Sequence, residues 1–122
     1  MPLNGSTDLP ETWRVKRGEV WWVEFDPAVG SEIKKTRPAI ILSNDLANRH
    51  LSRVMVMPLT SNTGTLYPGE APVEINGRRS KAMADQLMAA DKTRLKSRLG
   101  AISKAELAAV EDAVALHLGM KR

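Results

Sequence analysis

The sequence predicts a mainly β domain of the α+β class, a small β-barrel with a helix packed on it at the C-terminal end. Two observations carry this expectation. Short apolar or alternating runs recur between turn signals, as strands of a small sheet do. The last sixteen or so residues then carry a helix start, an apolar stripe and a glycine stop. With 122 residues, one domain can bury a core without disulfides or metal staples. The expected division is a flexible arm over residues 1–14 and a single domain over 15–122.

Each element has its own signature. In Glu19–Phe25, alternation sets Trp21, Val23 and Phe25 on a wholly apolar face, and Val20, Trp22 and Glu24 on a mixed one. Trp22 is expected to be partly exposed, buried at a subunit contact or packed under the arm. Ala39-Ile40-Ile41-Leu42 is a short continuous apolar run and reads as a central strand. Ser43-Asn44-Asp45 suits a turn or helix cap, with a helical turn over Leu46 to His50. Arg53 to Leu59 is the third strand, followed by a polar exit loop from Thr60 to Thr65 and a turn at Tyr67-Pro68-Gly69. Pro72 to Ile75 alternates and ends at the turn dipeptide Asn76-Gly77. A further strand is expected around Ala82 to Leu87, then a short turn and a strand ending at Gly100-Ala101-Ile102. Ser103-Lys104-Ala105-Glu106 is a capping box. Leu107, Val110, Val114 and Leu118 form one stripe, and Gly119 fits the helix stop.

Composition narrows the chemistry. There is no cysteine, which removes disulfides, thiolate nucleophiles and thiolate metal sites and fits a reducing compartment. Met1 to Thr12 has no apolar h-region, and no run approaches the length that spans a bilayer, so a cytoplasmic protein is expected. The formal charge of +4 and a pI near 9.7 are compatible with nucleic acid. Positive charge concentrates between Arg78 and Arg98, whereas aromatics are too few and too scattered for an interleaved base-stacking platform.

His50 and His117 are far apart with no carboxylate at ligand spacing, and no nucleophile elbow, phosphate loop or dinucleotide fingerprint occurs. No metal or cofactor is expected. What remains is the polar, basic stretch Gly30 to Pro38, which enters the second strand through Arg37. Pro38 biases Arg37 toward extended backbone. If the second and third strands are antiparallel neighbours, Arg37 at the start of one adjoins Thr60 at the end of the other. A guanidinium and a hydroxyl at one rim suit RNA phosphodiester cleavage, in which the ribose 2′-OH is an internal nucleophile. Taken singly, a surface ion pair and a strand-end cap explain the same two residues.

The runs Arg17-Gly18-Glu19-Val20-Trp21-Trp22-Val23, Asp26-Pro27, Gly30-Ser31-Glu32 and Thr36-Arg37-Pro38-Ala39 resemble the MazF/PemK toxins of bacterial toxin–antitoxin pairs. The resemblance continues through Ser43-Asn44-Asp45, Asn48-Arg49, Pro58-Leu59-Thr60-Ser61 and Ala84-Asp85-Gln86. It implies an SH3-like barrel, a homodimer, and metal-independent cleavage of single-stranded RNA to a 2′,3′-cyclic phosphate and a 5′-hydroxyl. It carries catalytic roles onto Arg37, Thr60 and Glu32. It makes Lys34, Lys35, Thr36, Asn44, Ser61, Gln86 and Arg94 the expected RNA contacts. It also implies a cognate MazE-like antitoxin whose acidic C-terminal tail occupies the RNA groove, matched by Lys34-Lys35 and the basic stretch from Arg78 to Arg98. Two rivals differ in class. A gyrase poison of the CcdB type shares the architecture, but acts through a C-terminal Trp-Gly-Ile, whereas this chain ends Leu118-Gly119-Met120-Lys121-Arg122. An RNA-binding relative without nuclease activity would retard RNA without cutting it.

Overall fold

The computed structural model describes residues 10–25 and 35–120. Seven strands, β1 (Glu19–Glu24), β2 (Thr36–Ile41), β3 (Arg53–Thr60), β4 (Glu70–Ile75), β5 (Arg78–Met83), β6 (Met88–Asp91) and β7 (Leu95–Ala101), pair antiparallel throughout. Two helices, α1 (Asp45–His50) and α2 (Lys104–Leu118), and three 3-10 turns, Glu11–Arg14, Ala84–Gln86 and Lys92–Arg94, make up the other elements among the described residues. The strand order is β4-β5-β3-β2-β1-β7, with β6 also on β3.

β3 is the hub. One edge pairs with β2, while the other serves two partners, β6 along Arg53–Val56 and β5 at Leu59–Thr60. A strand that divides one edge between two partners must bend, and the sheet curls into a half-barrel. The curled sheet buries both faces. Val20, Ile40 and Met57 join Leu59, Val73, Ile75 and Val110 of α2 on one side. Trp21, Val23, Phe25, Ala39, Ile41 and Val56 form the core on the other. The face expected to be mixed is therefore apolar at Val20, which α2 and β4 cover, and opens to solvent only at Trp22 and Glu24.

The helix forms as its sequence dictates. Ser103 Oγ accepts from the Glu106 amide while Glu106 Oε1 accepts from the Ser103 amide. Gly119 closes it at φ 71°, where the Met120 amide reaches the Ala115 carbonyl at 2.8 Å. Val110 is fully buried, but Leu118 is exposed, and Ala113 and Ala115 carry the contact in its place. Small side chains let the helix lie close to the sheet. Glu106 Oε2 also accepts from the Glu74 amide at 2.7 Å, tying α2 to β4. On the same edge of β4, the Glu70 amide is taken by the Tyr67 carbonyl.

Two expectations change. The strand expected around Ala82 to Leu87 ends at Met83, because the Ala84 amide bonds to the Gly69 carbonyl and the chain turns through Ala84–Gln86 before β6. Glu11–Arg14, expected within a loose arm, is a 3-10 turn packed on α1 and on Lys92–Arg94.

Candidate functional site

Strand register builds the site. In the β2–β3 ladder, Ile40 faces Met57 and Ala39 faces Pro58. The pairing ends there, and Arg37 and Thr60 each lie two residues beyond it, at the start of β2 and the end of β3. A two-residue step keeps both on the face of Ala39 and Pro58. On its other side, Arg37 pairs with Val23 of β1. Pro38 fixes the backbone immediately after the arginine, so the guanidinium stands on a rigid base.

Both side chains line a cleft of about 560 Å³, together with Lys35, Thr36 and Ser61 from the adjoining strand ends. Its far wall is the β4–β5 hairpin, which contributes Asn76, Arg78 and Arg79. The hairpin turns at Asn76 (φ 51°) and Gly77 (φ 79°), two left-handed residues in succession as a two-residue turn requires. Trp22, 37% exposed, forms part of the floor. Among the described residues lining the cleft are the cations Lys35, Arg37, Arg78 and Arg79, and no carboxylate. Such a cleft favours a polyanion. Thr60 Oγ1 accepts from the Asn62 amide at 3.2 Å, which directs the hydroxyl proton elsewhere. A smaller cleft of about 350 Å³ adjoins across Arg79 and Ser80, and there Glu74 and Glu106 supply negative charge.

Of the sequence-predicted residues, Arg37, Thr60, Lys35, Thr36 and Ser61 meet in the cleft. Glu32 and Lys34 lie outside the described residues. Asn44, Gln86 and Arg94 are not brought to the cleft. Asn44 caps α1 by accepting from the Ala47 amide at 2.8 Å. Gln86 ends the 3-10 turn after β5. Arg94 donates to the Glu24 carbonyl at 3.1 Å.

The basic stretch also divides. Arg78 and Arg79 reach the cleft, whereas Lys81 is buried, pairs with Glu70 at 2.9 Å and lies over Tyr67. Lys92 is buried with its ammonium 3.6 Å from the Trp13 ring centroid, and Arg98 bonds Glu19 at 2.8 Å. The sequence holds a signal that sets these two apart from the rest of the stretch: two arginines directly after a tight Asn-Gly turn stand at a hairpin tip.

Three ionisable groups report these environments. Burial pushes the Lys92 ammonium down. Burial pushes Glu70 and Glu106 up. Bonds from the Tyr67 amide and Lys81 outweigh it at Glu70, and the amides of Ser103 and Glu74 with the Ser103 hydroxyl outweigh it at Glu106, so both carboxyls are held below the ordinary range. Among the described residues, no three His, Asp or Glu side chains gather as a metal site, and no helix is long and apolar enough to cross a membrane.

Comparison with known proteins places this chain in a family. The sequence is 37% identical to Endoribonuclease MazF9 of Mycobacterium tuberculosis, over 87% of this chain and 98% of that protein. The fold is similar to a crystal structure of MazF from Deinococcus radiodurans, with a TM-score of 0.78 and 28% identity over 87% of this chain and 97% of that one. It is also similar to a MazE-MazF structure from the same organism, with a TM-score of 0.69 and 25% identity over 87% and 97% of the two chains. Residues 16–118 match the family described as PemK-like, MazF-like toxin of type II toxin-antitoxin system, and the chain belongs to that family.

Proposed function

We propose that this chain is a sequence-selective endoribonuclease toxin that cleaves single-stranded RNA at the cleft between β2, β3 and the β4–β5 hairpin. The observation that carries the proposal is the meeting of Arg37 and Thr60 in one basic cleft, whose described lining residues include no carboxylate. In this reading, a ribose 2′-oxygen attacks the adjacent phosphorus and loses its proton, and the P–O5′ bond breaks as the 5′-oxygen gains one. The products are a 2′,3′-cyclic phosphate and a 5′-hydroxyl. Arg37 donates paired N–H bonds to the phosphorane oxygens, where negative charge builds up, and Thr60 donates its hydroxyl to the same group. Lys35, Thr36, Ser61, Arg78 and Arg79 hold the flanking backbone. Glu32 enters by family resemblance as a group that moves a proton.

The same reading includes a homodimer, a cytoplasmic location and a MazE-like antitoxin whose acidic tail competes for the cleft. The relatives named above, one an endoribonuclease and one a MazE-MazF structure, support its nuclease and antitoxin parts. The test is incubation of the purified protein with a long mixed-sequence single-stranded RNA in EDTA, followed by mapping and end analysis of the fragments. Cutting at a short recurring sequence with 5′-hydroxyl ends is expected. RNA retarded but uncut would instead support a binding protein, and inhibition of gyrase without RNA cleavage would support the poison on the same fold.

A further inference from the structure

The segment ahead of the family match ends in a built contact. Trp13, in the turn Glu11–Arg14, covers the ammonium of Lys92, a lysine only 3% exposed. That ammonium donates to the Asn48 carbonyl of α1, and the Lys92 amide bonds to the Ser52 carbonyl at 2.9 Å. Asn48 is itself fully buried, with its amide group on the Ser43 carbonyl at 2.8 Å. A buried cation needs acceptors and a favourable field, and an aromatic face supplies the latter. Lys92 begins a 3-10 turn that ends at Arg94, whose guanidinium holds the Glu24 carbonyl at 3.1 Å. The next residue, Leu95, pairs with Val23 of β1, and Val23 pairs with Arg37 of β2. The Phe25 amide bonds to the Lys35 carbonyl at 2.9 Å just beyond that row. Contacts and chain connections thus run without a break from Trp13 to the strand position of Arg37.

We infer that the Trp13–Lys92 stack is a brace that fixes the Leu95–Val23–Arg37 row, which makes Trp13 a positioning residue for the cleft. The inference rests on the nuclease reading for its effect on rate, but not for its effect on structure. Trp13 touches no part of the cleft. Its loss should therefore loosen Arg37 without altering the surfaces that hold RNA, and misplacement of a reacting group lowers turnover more than binding.

The experiment compares the full chain with Trp13→Leu, which keeps an apolar side chain but removes the ring, and with Trp13→Phe, which keeps a ring. Hydrogen exchange is followed at the amides of Val23, Phe25 and Arg37, and cleavage of a short RNA gives kcat and KM. Trp13→Leu is expected to exchange faster at these amides and to lose about tenfold in kcat with KM within about twofold, and Trp13→Phe to recover most of both. Unchanged exchange and kcat in a folded Trp13→Leu protein would overturn the inference, as would equal losses in the Phe and Leu variants. If Trp13→Leu does not fold, Lys92→Met removes the cation from the other side, and unchanged exchange there overturns it too. Should the wild-type chain leave RNA intact, the nuclease reading fails while the exchange data still decide the brace.

Discussion

Replacing Arg37 tests the site most directly, and the structure sets the size of the effect. The side chain is half-buried on β2 beside Val23 of β1, and the core behind that pair is filled by Ala39, Ile41 and Val56 rather than by the arginine stem. Arg37→Ala should therefore cost under about 1 kcal/mol of stability, the usual scale for a site that opens neither a cavity nor a buried charge. Its cost in rate is larger. A charge-assisted donor aimed at transition-state charge contributes roughly 3 to 4 kcal/mol, which is on the order of several hundredfold in kcat. Arg37→Lys keeps the charge and loses the fork, so an intermediate loss of about tenfold is expected. Because Arg37 and Thr60 would stabilise the same phosphorane oxygens, the Arg37→Ala, Thr60→Ala double variant should lose far less than the product of the single losses. The assay is single-turnover cleavage of a short RNA, with circular dichroism and thermal midpoints as folding controls. A folded Arg37→Ala protein within about threefold of wild type would refute the proposed machinery.

Three further outcomes follow from the same structure. Neutralising Arg79 should weaken RNA binding about equally across sequences and reduce the slope of log K against log salt by about 0.7, measured by fluorescence anisotropy between low and moderate salt. Gly77→Ala places a side chain at φ 79° with no atom beyond its chain neighbours within 4 Å of the new Cβ, so its cost is conformational. About 1 kcal/mol or slightly more is expected by chemical denaturation. Glu106 has a carboxyl held below its ordinary 4.5 in the folded state, so its stabilisation is complete above that value and fades as pH falls through the folded one. Glu106→Gln should accordingly flatten the acid limb of stability against pH and lower stability near neutrality by about 1 kcal/mol, read from denaturant midpoints across pH 3 to 7.

Much of this molecule is legible in the sequence because local rules and the final packing agree. Arg37 at the start of β2 and Thr60 at the end of β3 share one cleft because those strands pair antiparallel, and the capping box fixes where α2 begins. The site is less legible where a role depends on distant closure. Asn44 carries the same motif residue whether it touches RNA or caps a helix, and its capping role shows only once the Ala47 amide is seen to meet it. The run from Arg78 to Arg98 looks like one basic face in sequence. The fold instead sends Arg78 and Arg79 to the cleft, buries Lys81 and Lys92, and spends Arg98 on Glu19. Which cations are buried depends on acceptors supplied by remote segments, Thr65 and Asn48, and periodicity carries no trace of them.

The outer margin of β4 has a consequence beyond the site. Every second amide of this strand points away from β5, at positions 70, 72 and 74. Glu70 spends its amide on Tyr67, Pro72 has none, and Glu74 gives its own to Glu106. A foreign β-segment docking there finds acceptors but no donors, so the margin cannot template polymerisation of one molecule onto the next.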